Sequence, residues 1–336
     1  MKNYTRYELL TANRLLKKYY LCTQIRIQLM DNRYYKEFGT LLSKYFPYKV
    51  QKISINAGFT CPNRDGSKAV GGCTYCNNQS FSPGYGGKQR SVSDQLRDGI
   101  AFFSYKYPEM KYLAYFQSYT NTYDSIDKLI SLYEEALSYP GVVGLIIGTR
   151  PDCMPDELLD YFAELNKRTF LIIEYGLEST LDSTLEFINR GHTHAESVDA
   201  IHKTAAKGIY TGAHLILGLP NESREQVLAH AGEVSKLPLT TLKLHQLQLI
   251  KGTVMAKQYR EHPEWFSLFD VDDYIDLIID FSERLNPDFI IERFISQSPK
   301  QLLIAPDWGL KNFEFTAKVL KRFAERETWQ GRLFYK

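Results

Sequence analysis

Three of the five cysteines of this 336-residue chain lie in one short stretch, CPNRDGSKAVGGCTYC, at residues 61–76. Eleven residues separate Cys61 from Cys73, and two separate Cys73 from Cys76. Three thiolates can bind three irons of a [4Fe–4S] cluster and leave the fourth iron open, as catalysis at a cluster requires. The spacing therefore predicts a cluster site with one open position.

Two other interpretations of these cysteines remain open. Structural zinc takes four protein ligands, and the nearest histidine in the sequence is His192, far from the cysteine stretch. Three inert, buried thiols would suit an apolar segment, whereas this loop contains Gly, Asn, Asp and Lys. Ligand type and number favour the cluster over both alternatives.

Composition indicates a cytoplasmic protein with reduced thiols. The cysteines are odd in number and clustered, and the first 20 residues lack the apolar core and cleavage site of a signal peptide. No apolar run approaches the roughly 20 residues that a membrane-spanning helix needs. We expect no disulfide framework and no membrane contact.

The charge is distributed unevenly along the chain. Residues 1–92 carry 15 Lys and Arg against 4 Asp and Glu, although the whole chain has a net charge of only +2. Residues 1–52 also hold the tyrosines Tyr4, Tyr7, Tyr19, Tyr20, Tyr34 and Tyr35. Cations can contact phosphates and aromatic rings can stack on bases, so this part of the chain suits RNA binding. It also suits an amphipathic helix packed across the bottom of a domain, and both readings stay open.

The cysteine loop follows the first of six strand-like segments that alternate with helical patterns. Strands are predicted at 50–56, 111–117, 142–148, 170–176, 210–218 and 241–249. Strict alternation predicts a parallel sheet with right-handed crossovers. No G-x-G-x-x-G follows the first strand, which disfavours a dinucleotide-binding fold, and in β/α barrels the loops after the strands build the active face. We therefore expect an α/β barrel whose chemistry lies at the cysteine loop.

The pattern divides the chain into three regions. These are a basic, Tyr-rich helical extension (1–49), a core of six βα units (50–250) and a C-terminal α/β segment that closes the barrel (251–336). In the last region, helices are predicted at 271–285 and 311–327, and a strand at 288–294.

The segment GFTCPNRDGSKAVGGCTYC resembles the cluster loop of radical SAM enzymes, including the aromatic Tyr75 directly before the last cysteine. Its wide first spacing is similar to that of the elongator catalytic subunit, and the motif order resembles the YhcC/YtqA type of this superfamily. The resemblance implies a partial (β/α)6 TIM-like barrel. It also implies that Cys61, Cys73 and Cys76 hold a [4Fe–4S] cluster, whose fourth iron is chelated by S-adenosylmethionine (SAM). An electron donor such as flavodoxin or ferredoxin would start the cleavage of SAM to a 5′-deoxyadenosyl radical.

The same resemblance suggests which residues contact SAM. QSYTNTY, at 117–123, stands where the family binds the methionine amino group, which implicates Gln117, Ser118, Tyr119 and Thr120; by itself the segment is equally a polar turn. Arg150, in GTRPD, is either a polar contact in the pocket or a structural ion-pair partner.

Glu178 and Arg190 stand twelve residues apart, like the residues that contact the SAM ribose and carboxylate in oxygen-independent coproporphyrinogen oxidases. AHLILGLP, at 213–220, matches the adenine-binding strand and implicates His214 and Leu215. His214 is a candidate catalytic or cofactor contact, or equally a satisfied core histidine.

The YtqA-type resemblance implies a tRNA substrate, with remodelling of the 5-aminomethyl-type side chain of wobble uridine. Two other functions stay open: a radical SAM enzyme acting on a small molecule or peptide, and a non-catalytic iron–sulfur or zinc module.

Overall fold

The computed structural model describes residues 34–80, 90–104 and 109–335. Residues 1–33 of the predicted helical extension (1–49), with Cys22 and four of the six tyrosines named above, lie outside these ranges. Among the described residues, no helix combines the length and the apolar character needed to cross a membrane.

Nine strands are present in the described part of the chain. They are β1 (Val50–Ile55), β2 (Lys111–Phe116), β3 (Val142–Thr149), β4 (Phe170–Glu178), β5 (Tyr210–Leu217), β6 (Thr241–Gln246), β7 (Leu249–Ile250), β8 (Ile290–Arg293) and β9 (Leu303–Ala305). Seven form one sheet in the order β1-β2-β3-β4-β5-β6-β8, and all its pairs are parallel. The predicted partial barrel is confirmed, and the strand expected at 288–294 extends it as a seventh strand.

Ten α-helices accompany the sheet in the same described ranges. They are α1 (Phe38–Tyr45), α2 (Val92–Ser104), α3 (Ile126–Ser138), α4 (Asp156–Leu165), α5 (Asp182–Phe187), α6 (His194–Ala206), α7 (Arg224–Ser235), α8 (Val254–Glu261), α9 (Val271–Arg284) and α10 (Asn312–Glu325). Capping boxes begin α6 at Thr193 and α7 at Ser223, as the Ser/Thr-x-x-Glu/Gln pattern requires.

The sixth predicted strand is shorter than expected. It ends at Gln246, whose side-chain amide exchanges two hydrogen bonds of 2.9 Å with the backbone of Ser296. The chain then leaves the sheet, and β7 pairs with β9 in a separate antiparallel ribbon. The sequence did not reveal this break, because apolar residues alternate with polar ones on both sides of Gln246. In the structure, the side chain of Gln246 makes the hydrogen bonds that main-chain groups would make in a continuing strand.

The inner face of the sheet carries both apolar and charged side chains. Near the amino ends, Leu113, Ile146 and Ile172 pack with Leu41 of α1, so that helix lies against the bottom of the barrel. In register with Leu113, Lys52 of β1 lies 2.5 Å from Glu292 of β8 (Nζ to Oε2), which links the two edge strands.

Two of the tyrosines assigned to RNA stacking are part of the core. Tyr34 is 6% exposed and its ring lies 5.8 Å from Phe323, while Tyr35 is 7% exposed and contacts Phe294. Neither ring is free to stack on a base, so for these residues the RNA reading was wrong. Apolar burial outweighs the polar context in which the sequence places them.

Candidate active site

The three clustered cysteines lie on one wall of a cavity at the carboxyl ends of the strands. Cys61, Cys73 and Cys76 are free thiols, and all three line this cavity. Gly71 and Gly72 have φ of +87° and +86°, a left-handed conformation that favours glycine and folds the loop back. The loop therefore brings the three thiols to one cavity, although eleven residues separate the first two in the sequence.

Side-chain N–H groups surround the sulfur atoms. The Nδ2 of Asn63 lies 3.6 Å and the NH1 of Arg190 lies 3.5 Å from the Cys73 Sγ, and the Nδ2 of Asn78 lies 3.9 Å from the Cys76 Sγ. Burial, and then the charge of Cys73, raise the pKa of Cys76 to about 11. A metal bound there would therefore displace a proton at neutral pH.

Asn63 is a site residue that the sequence did not reveal. It is fully buried, and its Nδ2 donates to the carbonyl oxygens of Asn189 at 2.7 Å and Arg190 at 2.8 Å. It thus ties the cysteine loop to the turn that carries Arg190. No local signal distinguishes it, because both partners are remote in sequence and are brought together only by the fold.

Glu178 and Arg190 meet beside the cysteines, as their spacing predicted. Arg190 NH2 lies 3.5 Å from Glu178 Oε1 and donates to the Gly176 carbonyl at 2.6 Å. Burial by itself would lower the pKa of Arg190, but Tyr75, Cys73 and Glu178 together raise it well above the usual range. The short α5 separates the two residues and returns Arg190 to the cavity, where its buried Nε has no protein partner among the described residues.

The segment after β2 joins this wall. Gln117, Tyr119 and Thr120 line the cavity, whereas the buried Ser118 is not one of its lining residues. Tyr119 has φ of +66°, a strained conformation for a residue with a side chain, and its backbone N–H donates to Asn78 at 3.2 Å. The hydrogen bond fixes this turn to the cysteine loop.

Arg150 fits both interpretations that the sequence allowed. Its Nε and NH2 donate to the two carboxylate oxygens of Asp152, each at 2.9 Å, which is a bidentate ion pair. It also lines the cavity, and within the described ranges its buried NH1 has no hydrogen-bond partner.

His214 faces the cavity from β5, deeper in the barrel. Its Nε2 lies 3.1 Å from Glu174 Oε2, and burial followed by the charge of Lys243 lowers its pKa, so the ring is neutral at pH 7. Leu215 points the other way and is part of the main hydrophobic core, while Ile216 lines the cavity. The side chain of Leu215, which was expected to contact the cofactor, is therefore turned away from the cavity, because neighbours on a strand point to opposite faces.

The donor set fits a thiolate-ligated cluster with an anionic ligand. Three thiols share the cavity, N–H groups are directed at two of them, and buried nitrogens of Arg150 and Arg190 lack protein partners in the described chain. Within the same ranges, no three His, Cys, Asp or Glu side chains converge closely enough to hold a single metal ion.

A solved structure shares this fold. The structure of the archaeal Methanocaldococcus infernus Elp3 with an N-terminal deletion superposes with a TM-score of 0.63 at 16% identity, covering 84% of this chain and 64% of that one. A likeness at this identity establishes the shared partial-barrel fold.

Sequence relationships then place the chain in its family. The radical SAM superfamily profile matches residues 58–234, and the radical SAM C-terminal domain matches residues 239–325. The chain is 37% identical to the uncharacterized protein YtqA of Bacillus subtilis over 89% of its length and 93% of YtqA. It is 35% identical to the protein YhcC of Escherichia coli over 81% of its length and 86% of YhcC. It therefore belongs to the radical SAM superfamily, in the group of YhcC-type proteins, and works with a [4Fe–4S] cluster and SAM.

Proposed function

We propose that Cys61, Cys73 and Cys76 hold the [4Fe–4S] cluster and that the surrounding wall binds SAM. The observation that carries this proposal is the convergence of the three free thiols on one cavity that Glu178 and Arg190 also line. With cluster and SAM bound, the chemistry supplied is reductive cleavage of SAM to methionine and a 5′-deoxyadenosyl radical, which takes a hydrogen atom from the substrate.

The polar residues of the wall would orient the ligands. Glu178 would accept hydrogen bonds from ribose hydroxyls. The Nε–H of Arg190, which has no hydrogen-bond partner among the described residues, would donate to the SAM carboxylate, a charge-assisted contact. The turn at Gln117, Tyr119 and Thr120, which lines the cavity, would border the methionine amino group.

The ligand assignment is tested by replacing single cysteines. C61A, C73A and C76A should each lower iron content after anaerobic reconstitution and abolish 5′-deoxyadenosine formation with dithionite. C153A is the matched control, because Cys153 is a free, buried thiol that does not line the cavity. Retained SAM cleavage in any of the three cavity variants would refute the assignment.

We further propose that the substrate is a tRNA, at the 5-aminomethyl-type side chain of wobble uridine, and that the reaction takes place in the cytoplasm with flavodoxin or ferredoxin as electron donor. Support comes from the YtqA-type resemblance and from the fold shared with Elp3. The inner cavity also offers the amide and hydroxyl groups of Gln117, Gln248, Ser296 and Ser298, which can pair with the edge of an extruded pyrimidine.

Two measurements test the tRNA proposal. Mass spectrometry of tRNA nucleosides from a strain that lacks the protein should show an altered wobble-uridine profile; an unchanged profile would contradict the proposal. Filter binding of tRNA should weaken steeply as salt rises, because phosphate contacts release counterions. If a small molecule or peptide stimulates SAM cleavage and tRNA does not, the substrate belongs to that class instead.

A further inference from the structure

The barrel interior contains a buried group of alternating charges. Lys243 Nζ lies 2.5 Å from Glu174 Oε2 and 2.9 Å from Glu292 Oε1, and Lys52 Nζ lies 2.5 Å from Glu292 Oε2. Two lysines and two glutamates therefore neutralise one another inside the barrel. Any further charged side chain inside the barrel therefore needs an opposite charge that these four residues do not supply.

Arg293 is such a further charge. It lines the cavity, and among the residues that the structure describes its only polar contact is with His245 Nε2, 3.2 Å from its NH2. Its buried Nε has no hydrogen-bond partner in the same residues, and no described carboxylate lies within ion-pair distance. The pKa of His245 is held well below its usual value by burial and then by the charge of Arg293, so the ring is neutral and cannot balance the guanidinium.

An irregularity in the sheet directs Arg293 into the cavity. The β6–β8 register shifts between Leu242 and Lys243, so that Lys243 is opposite Arg293 while Glu292 is displaced from the ladder. Glu292 contacts the two lysines and Arg293 contacts His245, although neighbours on a regular strand point to opposite faces. Bulges next to active sites commonly redirect a side chain in this way.

The cavity wall that contains Arg293 also carries uncharged hydrogen-bonding residues. Ser296 and Ser298 follow β8 along the chain, and the Ser298 hydroxyl donates to Gln248 at 2.8 Å. A planar guanidinium flanked by hydroxyl and amide groups is suited to two-pronged binding of an oxyanion.

We propose that Arg293 binds an oxyanion group of the substrate, a carboxylate or a phosphate, inside the barrel. This inference rests on the proposed function in that the cavity is taken as the substrate site. SAM also carries a carboxylate, so the test must separate the two sources. Arg293 is a specificity residue in this scheme, since it contacts the substrate away from the cysteines.

The test measures thermal protection of the reconstituted enzyme, saturated with SAM, by acetate and by inorganic phosphate. At least one of them should raise the melting temperature of the wild type, since a ligand that binds only the folded state stabilises it. R293Q should weaken binding of the protecting anion at least five-fold, as judged from the anion concentration needed for protection. R293K should weaken binding of the same anion at least two-fold, because lysine keeps the positive charge but loses the paired N–H donors of the guanidinium. R260Q, which removes an exposed arginine of α8 outside the cavity, is the matched control and should behave as the wild type.

Each remaining outcome overturns the assignment. Protection that occurs without SAM and disappears once SAM is bound would mean that the anion site belongs to the SAM carboxylate. Equal protection of R293Q or R293K and the wild type, or no protection by either anion, would remove Arg293 from substrate binding. Because anion protection needs no turnover, this result is independent of the SAM-cleavage assay that tests the proposed function.

Discussion

Replacing Lys243 with methionine tests whether the buried charge group holds the barrel together. Lys243 is 2% exposed and its Nζ contacts Glu174, Glu292 and the Tyr115 hydroxyl, the last at 3.0 Å. Methionine has a similar volume, so K243M removes the charge with little change in packing. It leaves Glu174, whose side chain is fully buried, with His214 and a more distant Lys52.

The expected loss in the free energy of unfolding is about 3–5 kcal/mol, the usual cost of removing one partner of a buried ion pair. The pKa values support this direction: burial alone would raise the pKa of Glu174, but Lys243 and then Lys52 hold it well below its usual range. A carboxyl with a lowered pKa stabilises the fold above its ordinary pKa, and that contribution is lost as the pH falls. At pH 7 the full effect of Lys243 is therefore present.

Equilibrium urea unfolding at pH 7, followed by circular dichroism, measures the loss. K257M is the control, because Lys257 is an exposed lysine of α8 whose ion pair with Glu261 should contribute little. The double variant K243M/E174Q should recover part of the loss, since a neutral amide needs no cation. A K243M destabilisation below about 1 kcal/mol, or no recovery in the double variant, would refute the reasoning, since breaking a buried pair should cost more.

Three further predictions concern the cavity wall and the residues that support it. N63L should destabilise the protein by about 1–3 kcal/mol and reduce the iron retained after gel filtration, because two buried carbonyls lose their donor; iron retention equal to that of wild type would contradict this role. G176A should weaken SAM binding at least ten-fold in equilibrium dialysis, since its Cβ would lie 2.5 Å from Arg190 NH2, while G232A, with open space around its Cβ, should bind SAM normally. Burial alone would raise the pKa of Asp152, but Arg150 and Lys68 lower it to about 2, so its stabilisation is full above the ordinary carboxyl pKa and lost as the pH falls toward 2. The stability advantage of wild type over D152N should accordingly shrink by about 2 kcal/mol between pH 5 and pH 2, with the exposed D127N showing no such change.

Local patterns predicted the parts of this protein that depend on neighbours in the chain. The βα alternation gave the parallel sheet, because strand and helix periods are short-range properties, and the cysteine spacing indicated the cluster chemistry. The separation of Glu178 and Arg190 was also informative, since the short α5 between them leaves few ways to connect the two residues.

Long-range contacts decided the rest. Asn63 reaches two carbonyls beyond β4, and a shifted register turns both Glu292 and Arg293 inward, which no local pattern indicates. Tyr34 is another example: its sequence neighbours are polar, but its ring packs against α10. The sequence by itself determined the fold class and the three thiols, because both follow from residue type and spacing. Only the tertiary structure decided the charge balance inside the barrel, because that balance depends on which distant side chains share one buried space.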